Sequence, residues 1–156
     1  MKTLSRLPKD FDPTVMCQYV VTRENEVAME ETVRILRETL AQGMTFSFYV
    51  PPRNDTSSLT WGSLERRDKA VREALRLKEM YPEFVWNRCR ALELTLSQNA
   101  KSVTDNCYAK ELVMPLYLDG DRFARPFCCM GNDVDCDLCG SWVVFNLAAN
   151  IEMKDF

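Results

Sequence analysis

Residues 14–50, TVMCQYVVTRENEVAMEETVRILRETLAQGMTFSFYV, contain the pattern that decides the fold. Two apolar runs, residues 14–22 and 44–50, are typical of parallel strands that are covered on both faces. Between the runs, apolar residues recur at helical spacing, with a residue suited to cap the helix before them and a glycine after them: Asn25, then Met29, Val33, Leu36 and Leu40, then Gly43. The segment therefore predicts a strand, a helix of about 15 residues and a second parallel strand.

The next part of the chain continues this alternation. A polar loop, residues 53–60, follows the second strand, at the edge where parallel α/β sheets bind ligands. Ser63 is suited to cap a long helix, and Pro82 ends it. A short third strand at residues 84–86 and a short helix at residues 90–97 complete a predicted α/β framework.

A change in composition separates this framework from the rest of the chain. Residues 98–106, QNAKSVTDN, are polar, so we place a boundary there, with an α/β framework at residues 1–98 and a cysteine-rich module at residues 99–156. In the second module, Asp119-Gly120 lies between two largely apolar runs, which is a strong signal for a β-hairpin.

Composition and charge exclude several classes of protein. The chain has 156 residues, of which 46% are hydrophobic and 28% charged, as in ordinary folded domains. A net charge of −3 gives no electrostatic case for nucleic acid binding, and no apolar run is long enough for a membrane span. We therefore expect a cytoplasmic protein. Histidine is absent, which excludes Ser-His-Asp and Cys-His catalysis and mixed cysteine–histidine zinc sites.

Five of the seven cysteines lie in the second module, in an order typical of a metal site. Cys136 and Cys139 form a C-x2-C turn, and Gly140 after it permits close backbone approach. Because a hairpin brings its two ends together, Cys107 before it and Cys128 after it are expected to meet that turn. Four thiolates without histidine suit either an iron–sulfur cluster or an all-cysteine Zn²⁺ site. Redox-active or disulfide-bonded cysteines and core packing are the alternatives.

The remaining cysteines and the aspartates of this loop have simpler interpretations. Cys129 points away from its neighbour in an extended segment, so it is the alternative to Cys128 rather than the preferred ligand. Cys17 and Cys89 are expected to be small core residues. Three aspartates alternate in the same loop but lack the EF-hand pattern, so we expect solvated turn residues rather than calcium ligands: Asp133, Asp135 and Asp137.

Two passages resemble the C-terminal part of radical S-adenosylmethionine (radical SAM) enzymes with a SPASM- or twitch-type auxiliary-cluster domain. Residues 14–52 resemble the fifth strand, fifth helix and sixth strand of the partial TIM barrel in that superfamily. Cys107, Gly120, Cys128 and the C-x2-C that follows resemble the start of a SPASM domain, although the gap from Gly120 to Cys128 is longer than in the family. The further cysteines of a full SPASM domain are missing, which favours one auxiliary cluster over two.

The resemblance implies a fold and a set of functional residues. The fold is a partial (βα) TIM-barrel-like parallel sheet followed by a small cysteine-rich hairpin module. The resemblance also implies that Cys107, Cys128, Cys136 and Cys139 ligate an auxiliary [4Fe-4S] cluster that anchors substrate or passes electrons. In a completed barrel, S-adenosylmethionine and substrate would lie near five residues at the ends of the first two strands: Thr22, Arg23, Asn25, Ser47 and Tyr49.

One motif of the family is missing from this chain. It has no C-x3-C-x2-C sequence, so we do not expect it to cleave S-adenosylmethionine alone. We expect a piece of a longer protein, or a chain completed by a complementary N-terminal half or by a second copy, because an incomplete barrel exposes a sheet edge. The substrate, a small molecule or a peptide, is not specified. The rival expectation is a small α/β interaction module held together by structural Zn²⁺.

Overall fold

The computed structural model describes residues 14–126, 128, 131 and 133–152. In chain order, its elements are β1 (Met16–Val21), α1 (Met29–Arg37), β2 (Gly43–Phe48), α2 (Leu64–Met80), α3 (Cys89–Thr95), α4 (Ser97–Asp105), α5 (Ala109–Leu112), β3 (Tyr117–Asp119), β4 (Arg122–Ala124) and α6 (Trp142–Glu152), with 3-10 turns at Glu26–Ala28 and Cys136–Leu138. The fold is therefore mixed α/β, as the sequence predicted. The sheets formed by the described residues have two strands each, and no closed barrel is present among them.

The parallel sheet is built around β2. It pairs with β1 in parallel from Met16↔Gly43 to Val21↔Phe48. Every residue of β2 is buried, whereas β1 is exposed at alternate residues. On the other edge of β2, the backbone of Met44 forms two hydrogen bonds of 2.8 Å with residues 84–86. The predicted third strand is thus reduced to a single parallel bridge, but the three segments lie side by side in chain order.

An asparagine side chain continues the pairing where this third segment ends. The amide nitrogen of Phe46 donates to Oδ1 of Asn87 at 2.7 Å, and Nδ2 of Asn87 donates to the carbonyl of Phe46 at 2.9 Å. Asn87 is 2% exposed, so both backbone groups of Phe46 would be buried without it. The side chain therefore takes the place of a backbone partner along β2.

The helix between the strands is shorter than predicted. The Thr39 hydroxyl donates to the carbonyl of Leu36 at 2.7 Å, which satisfies a carbonyl at the C-terminal end of α1. Leu40 lies beyond the helix and is 51% exposed, so its assignment to the apolar helix face was wrong. Gly43 is the first residue of β2 rather than a helix stop, and a Cβ atom there would lie 2.1 Å from the Trp86 ring. Close packing of that ring is therefore what requires glycine at position 43.

The long helix α2 agrees with the prediction in its start and its end. Oγ of Ser63 accepts a hydrogen bond from the amide of Arg66 at 3.3 Å, which confirms the predicted cap. The buried face of α2 contains apolar residues together with two charged ones: Arg67, Asp68, Ala70, Val71, Ala74 and Leu77. The carboxylate of Asp68 accepts from the amide and the hydroxyl of Ser97, at 2.9 and 2.7 Å, and so caps α4.

The polar segment 98–106, where the sequence analysis places a module boundary, is part of a helix. It falls almost entirely within α4, whose buried side is formed by Ala100, Val103 and Thr104.

Two apolar clusters fill the interior, one around β1, β2, α1 and α2, and the other around α4, α5, α6 and the cysteines. Helix α3 contributes to both, through Leu92 on one side and Leu94 on the other. The division into two modules stays a prediction.

The predicted hairpin is present and exposed. β3 and β4 pair in antiparallel register from Tyr117↔Ala124 to Asp119↔Arg122, and Gly120 has φ +62° in the turn. Every residue of both strands is exposed. No helix among the described residues is long and apolar enough to cross a membrane.

Candidate metal centre

Four cysteines from separate parts of the chain line one cavity. They are the four predicted ligands, Cys107, Cys128, Cys136 and Cys139. Cys128 and Cys139 are each 5% exposed, and the other two are half-buried. Cys129, the predicted alternative to Cys128, lies outside the described residues. The fold thus brings the predicted ligand set to one place.

The cysteines share the cavity without converging on one point. Among the described residues, no group of three or more Cys, Asp or Glu side chains is arranged to hold a metal ion. The cavity has a volume of about 10 Å³. The remaining wall is largely apolar, and it includes Val50, Val134 and Val144 beside Thr104 and Lys110. Any group bound by all four thiols therefore requires the cavity to widen and the side chains to turn.

Short turns hold the individual cysteines. The carbonyl of Cys107 accepts from the amide of Lys110 at 3.1 Å, and the carbonyl of Cys128 accepts from the amide of Gly131 at 3.0 Å. Gly131 has φ +121°, a conformation that favours glycine. Within the C-x2-C turn, the amide of Cys139 donates to the carbonyl of Cys136 at 3.2 Å. All four cysteines therefore lie in short backbone turns.

The C-x2-C turn is attached to the carboxyl end of β2 by Gly140. The amide of Phe48, the last residue of the strand, donates to the carbonyl of Gly140 at 2.8 Å. A Cβ atom on Gly140 would lie 2.5 Å from Cβ and 2.7 Å from the carbonyl oxygen of Phe48. The prediction that this glycine permits close backbone approach is therefore confirmed, and the partner is the sheet itself.

Further bonds hold the same loop against the segment that follows β2. The amide of Asp135 donates to the carbonyl of Pro51 at 2.9 Å, and Nε of Arg53 donates to the carbonyl of Val134 at 3.4 Å. Oδ1 of Asp135 accepts from the amide of Asp137 at 3.0 Å and caps the 3-10 turn that contains Cys136. The cysteine cavity therefore lies at the carboxyl edge of the parallel sheet, where α/β folds bind ligands.

The charges around Cys136 act in opposite directions. Burial raises the pKa of the Cys136 thiol, and the neighbouring Cys128 and Cys107 thiolates raise it further, whereas Lys110 and Arg53 lower it. Because four thiolates repel one another, they need a compensating positive charge to share a site. Lys110 and Arg53 supply part of that positive charge.

The first three predicted cofactor-binding residues lie at the carboxyl end of β1. Oδ1 of Asn25 accepts from the amide of Thr22 at 2.7 Å, and its Nδ2 donates to the carbonyl of Val20 at 3.0 Å. Asn25 makes no side-chain cap to the following 3-10 turn, so its predicted capping role was wrong. Nε of Arg23 donates to the carbonyl of Ser58 at 2.9 Å and thereby holds the polar loop. The edge position was predicted correctly, but these polar groups bind other parts of the chain.

The other two lie at the end of β2. Oγ of Ser47 accepts from the amide of Trp142 at 3.1 Å and so holds the first residue of α6. The Tyr49 hydroxyl donates to Oδ2 of Asp55 at 3.1 Å. Burial raises the pKa of Tyr49, and the Asp55 carboxylate raises it further. The pKa of Asp55 is lowered, mainly because its carboxylate accepts a hydrogen bond from the amide of Ser57. Asp55 also accepts from the hydroxyls of Ser57 and Thr60 and so links several residues of the loop over residues 53–60.

The sequence analysis missed one charged residue beside the site. Nη1 of Arg67, on the buried face of α2, donates to the carbonyl of Cys139 at 3.4 Å. Arg67 shares the helical spacing of the buried Val71 and Ala74, so its place in the apolar stripe was readable from the sequence.

Of the two cysteines assigned to the core, Cys17 packs against it, but Cys89 is exposed and its assignment was wrong.

Comparisons with known proteins do not identify the chain. No protein-family model, no curated protein and no solved structure matches it. The radical SAM resemblance therefore stays a prediction based on residues 14–52 and the cysteine spacing. The function has to be argued from the chemistry and position of the cysteine cavity.

Proposed function

We propose that the chain is the iron–sulfur-binding C-terminal portion of a radical SAM-like protein, with an auxiliary [4Fe-4S] cluster held by Cys107, Cys128, Cys136 and Cys139. One observation carries the proposal: these four cysteines line one cavity at the carboxyl edge of a parallel sheet. In this role the cluster anchors a small-molecule or peptide substrate, or passes electrons. The chain lacks C-x3-C-x2-C and so does not cleave S-adenosylmethionine alone.

The donor set supports a cluster. Cysteine thiolates are the usual ligands of [4Fe-4S] clusters, and the chain has no histidine to compete with them. Largely apolar walls limit access of water, which is one of the factors that set the potential of such clusters. Metal binding commonly completes the folding of such sites.

The sheet supports the larger architecture. We propose that β1, β2 and residues 84–86 form an arc of a partial TIM-like barrel, because they are parallel and adjacent in chain order. Alternate residues of β1 are exposed, including Met16 and Val20, which suits a strand that another segment would cover. A complementary N-terminal half or a second copy would provide that cover. S-adenosylmethionine would then bind near the ends of β1 and β2.

A structural Zn²⁺ site is the second candidate. The cavity space of about 10 Å³ favours it, because a single tetrahedral ion requires less widening than a four-iron cluster. Under this alternative the chain is an α/β interaction module, and its exposed hairpin is the obvious surface for a partner. The chain would then be colourless.

Anaerobic purification followed by metal analysis separates the two candidates. The cluster predicts brown protein with broad visible absorption and about four irons per chain. Single Cys→Ser changes at the four cavity cysteines should each remove most of the iron. C89S is the matched control, because Cys89 is exposed and outside the cavity, and it should retain full iron. Colourless protein with about one zinc and no iron would establish the second candidate instead.

A further inference from the structure

Arg67 is a completely buried cation next to the cysteine site. Its side chain is 0% exposed. Nη1 donates to the carbonyl of Cys139 at 3.4 Å, and Nη2 donates to the carbonyl of Thr95 at 3.2 Å. Its Nε is buried and has no hydrogen-bond partner among the described residues. A guanidinium in such a place is costly unless a negative charge compensates for it.

The neighbouring carboxylate compensates only in part. Burial lowers the pKa of Arg67, and the negative charges of Asp68 and of the Cys139 thiolate act against that shift. The Asp68 oxygens accept hydrogen bonds from Ser97 at the start of α4 rather than from Arg67. The Cys139 side chain lines the cysteine cavity, and the carbonyl of the same residue accepts a hydrogen bond from Arg67. The structure thus places a buried positive charge against the backbone of one of the four cavity cysteines.

We propose that Arg67 is a positioning residue that holds the C-x2-C turn and serves as the buried counter-charge of the bound cluster, raising its reduction potential. This inference rests on the proposed function. The reduced cluster carries one more negative charge than the oxidised cluster, so a nearby fixed cation favours reduction. A nearby charge commonly changes a protonation equilibrium by a factor of ten or more, and we expect an effect of the same order here.

The test compares variants at two adjacent arginines in the anaerobically purified chain. R67M and R67Q remove the charge, and R67Q keeps amide donors for the two carbonyls. R66M is the matched control, because Arg66 is the next residue on the same helix, is exposed, and pairs with Glu26 at 2.7 Å. The readouts are iron per chain, thermal unfolding, and the reduction potential from a titration followed by electron paramagnetic resonance.

We expect R67M and R67Q to lower the ratio of reduced to oxidised cluster about tenfold at a fixed potential, which corresponds to a shift of about 59 mV for one electron. R66M should keep the wild-type potential. Wild-type potential in an iron-loaded R67M or R67Q variant would overturn the inference and leave the proposed function intact. Iron missing from the wild-type chain would overturn the proposed function itself.

The stability of the variants gives a second test of the role of Arg67. In the metal-free chain R67M should be less stable than the wild type, because the carbonyls of Cys139 and Thr95 lose their donors and Asp68 loses its neighbouring cation. R67Q should recover part of that loss, because its amide can still donate. If both R67M and R67Q fail to fold with and without metal, Arg67 serves the fold alone and the inference is wrong.

Discussion

Replacing Gly140 by alanine tests how the cysteine turn is attached to the sheet. The new Cβ atom would lie 2.5 Å from Cβ, 2.7 Å from the oxygen and 3.0 Å from the carbonyl carbon of Phe48. Phe48 ends a strand that is buried along its whole length, so it has little freedom to move. The turn must therefore retreat, and the hydrogen bond of 2.8 Å between the Phe48 amide and the Gly140 carbonyl must lengthen or break.

The expected loss of stability is the sum of two effects. Overpacking in a filled core costs about 1–3 kcal/mol. A buried amide that loses its acceptor costs about 1–3 kcal/mol more. A central value of about 4 kcal/mol lowers the melting temperature of a domain of this size by about 8–16 °C. Because Gly140 directly follows Cys139, we also expect G140A to lose most of its bound metal.

Chemical denaturation of metal-free protein and metal analysis of the purified protein measure the two effects. G120A is the matched control: its Cβ atom would meet nothing within 4 Å, and its φ of +62° costs about 1–2 kcal/mol for a residue other than glycine. It should keep its metal, since the hairpin turn lies in an exposed segment. The reasoning is refuted if G140A loses no more stability than G120A and binds as much metal.

Two further predictions concern the framework. N87A leaves the buried N–H and C=O of Phe46 without partners. The free energy of unfolding of the metal-free protein, measured by urea denaturation, should therefore fall by about 2–4 kcal/mol. A fall of less than about 1 kcal/mol would contradict the pairing role of Asn87. For Asp55, whose folded pKa is below its ordinary 3.8, ionisation contributes stability above that value, and the contribution is lost as the pH falls through the folded pKa. Stability measured from pH 6 to pH 2 should therefore fall less steeply in D55N than in wild type, and equal slopes would assign the acid sensitivity to other carboxylates.

The strands were predictable because local patterns determine them, and the residues of the cysteine cavity were predictable from the cysteine spacing. The apolar runs at residues 14–22 and 44–50 became β1 and β2, and Ser63 caps α2 as its position indicates. The hairpin alone does not bring Cys107 to the C-x2-C turn, because helix α5 lies between Cys107 and β3. The four cysteines share one cavity through their packing with α4, α5 and α6, which the spacing did not reveal.

Contacts in the folded chain explain three features that the sequence pattern alone did not reveal. Residues 98–106 are polar because one side of α4 faces solvent, while its start is capped from another helix by Asp68. Gly43 looks like a helix stop, yet it is required by the Trp86 ring packed against it. Asn25 is suited to cap a helix, but its side chain folds back on the strand before it. In the first two cases the contacting residue is distant in sequence. In the case of Asn25, capping the next turn competes with hydrogen bonds to the strand that precedes it.

The edge of β2 that faces away from β1 links the framework to the cysteine site. Its backbone groups are satisfied in turn by residues 84–86 at Met44, by the side chain of Asn87 at Phe46, and by Gly140 at Phe48. The residue that follows the C-x2-C turn, Gly140, thus forms part of the hydrogen-bonded edge of the sheet. A group that binds the four thiols must then stabilise the sheet as well, because ligands that bind only the folded state shift folding by mass action. Metal removal should therefore lower the stability of the framework and of the cysteine turn together, in one transition.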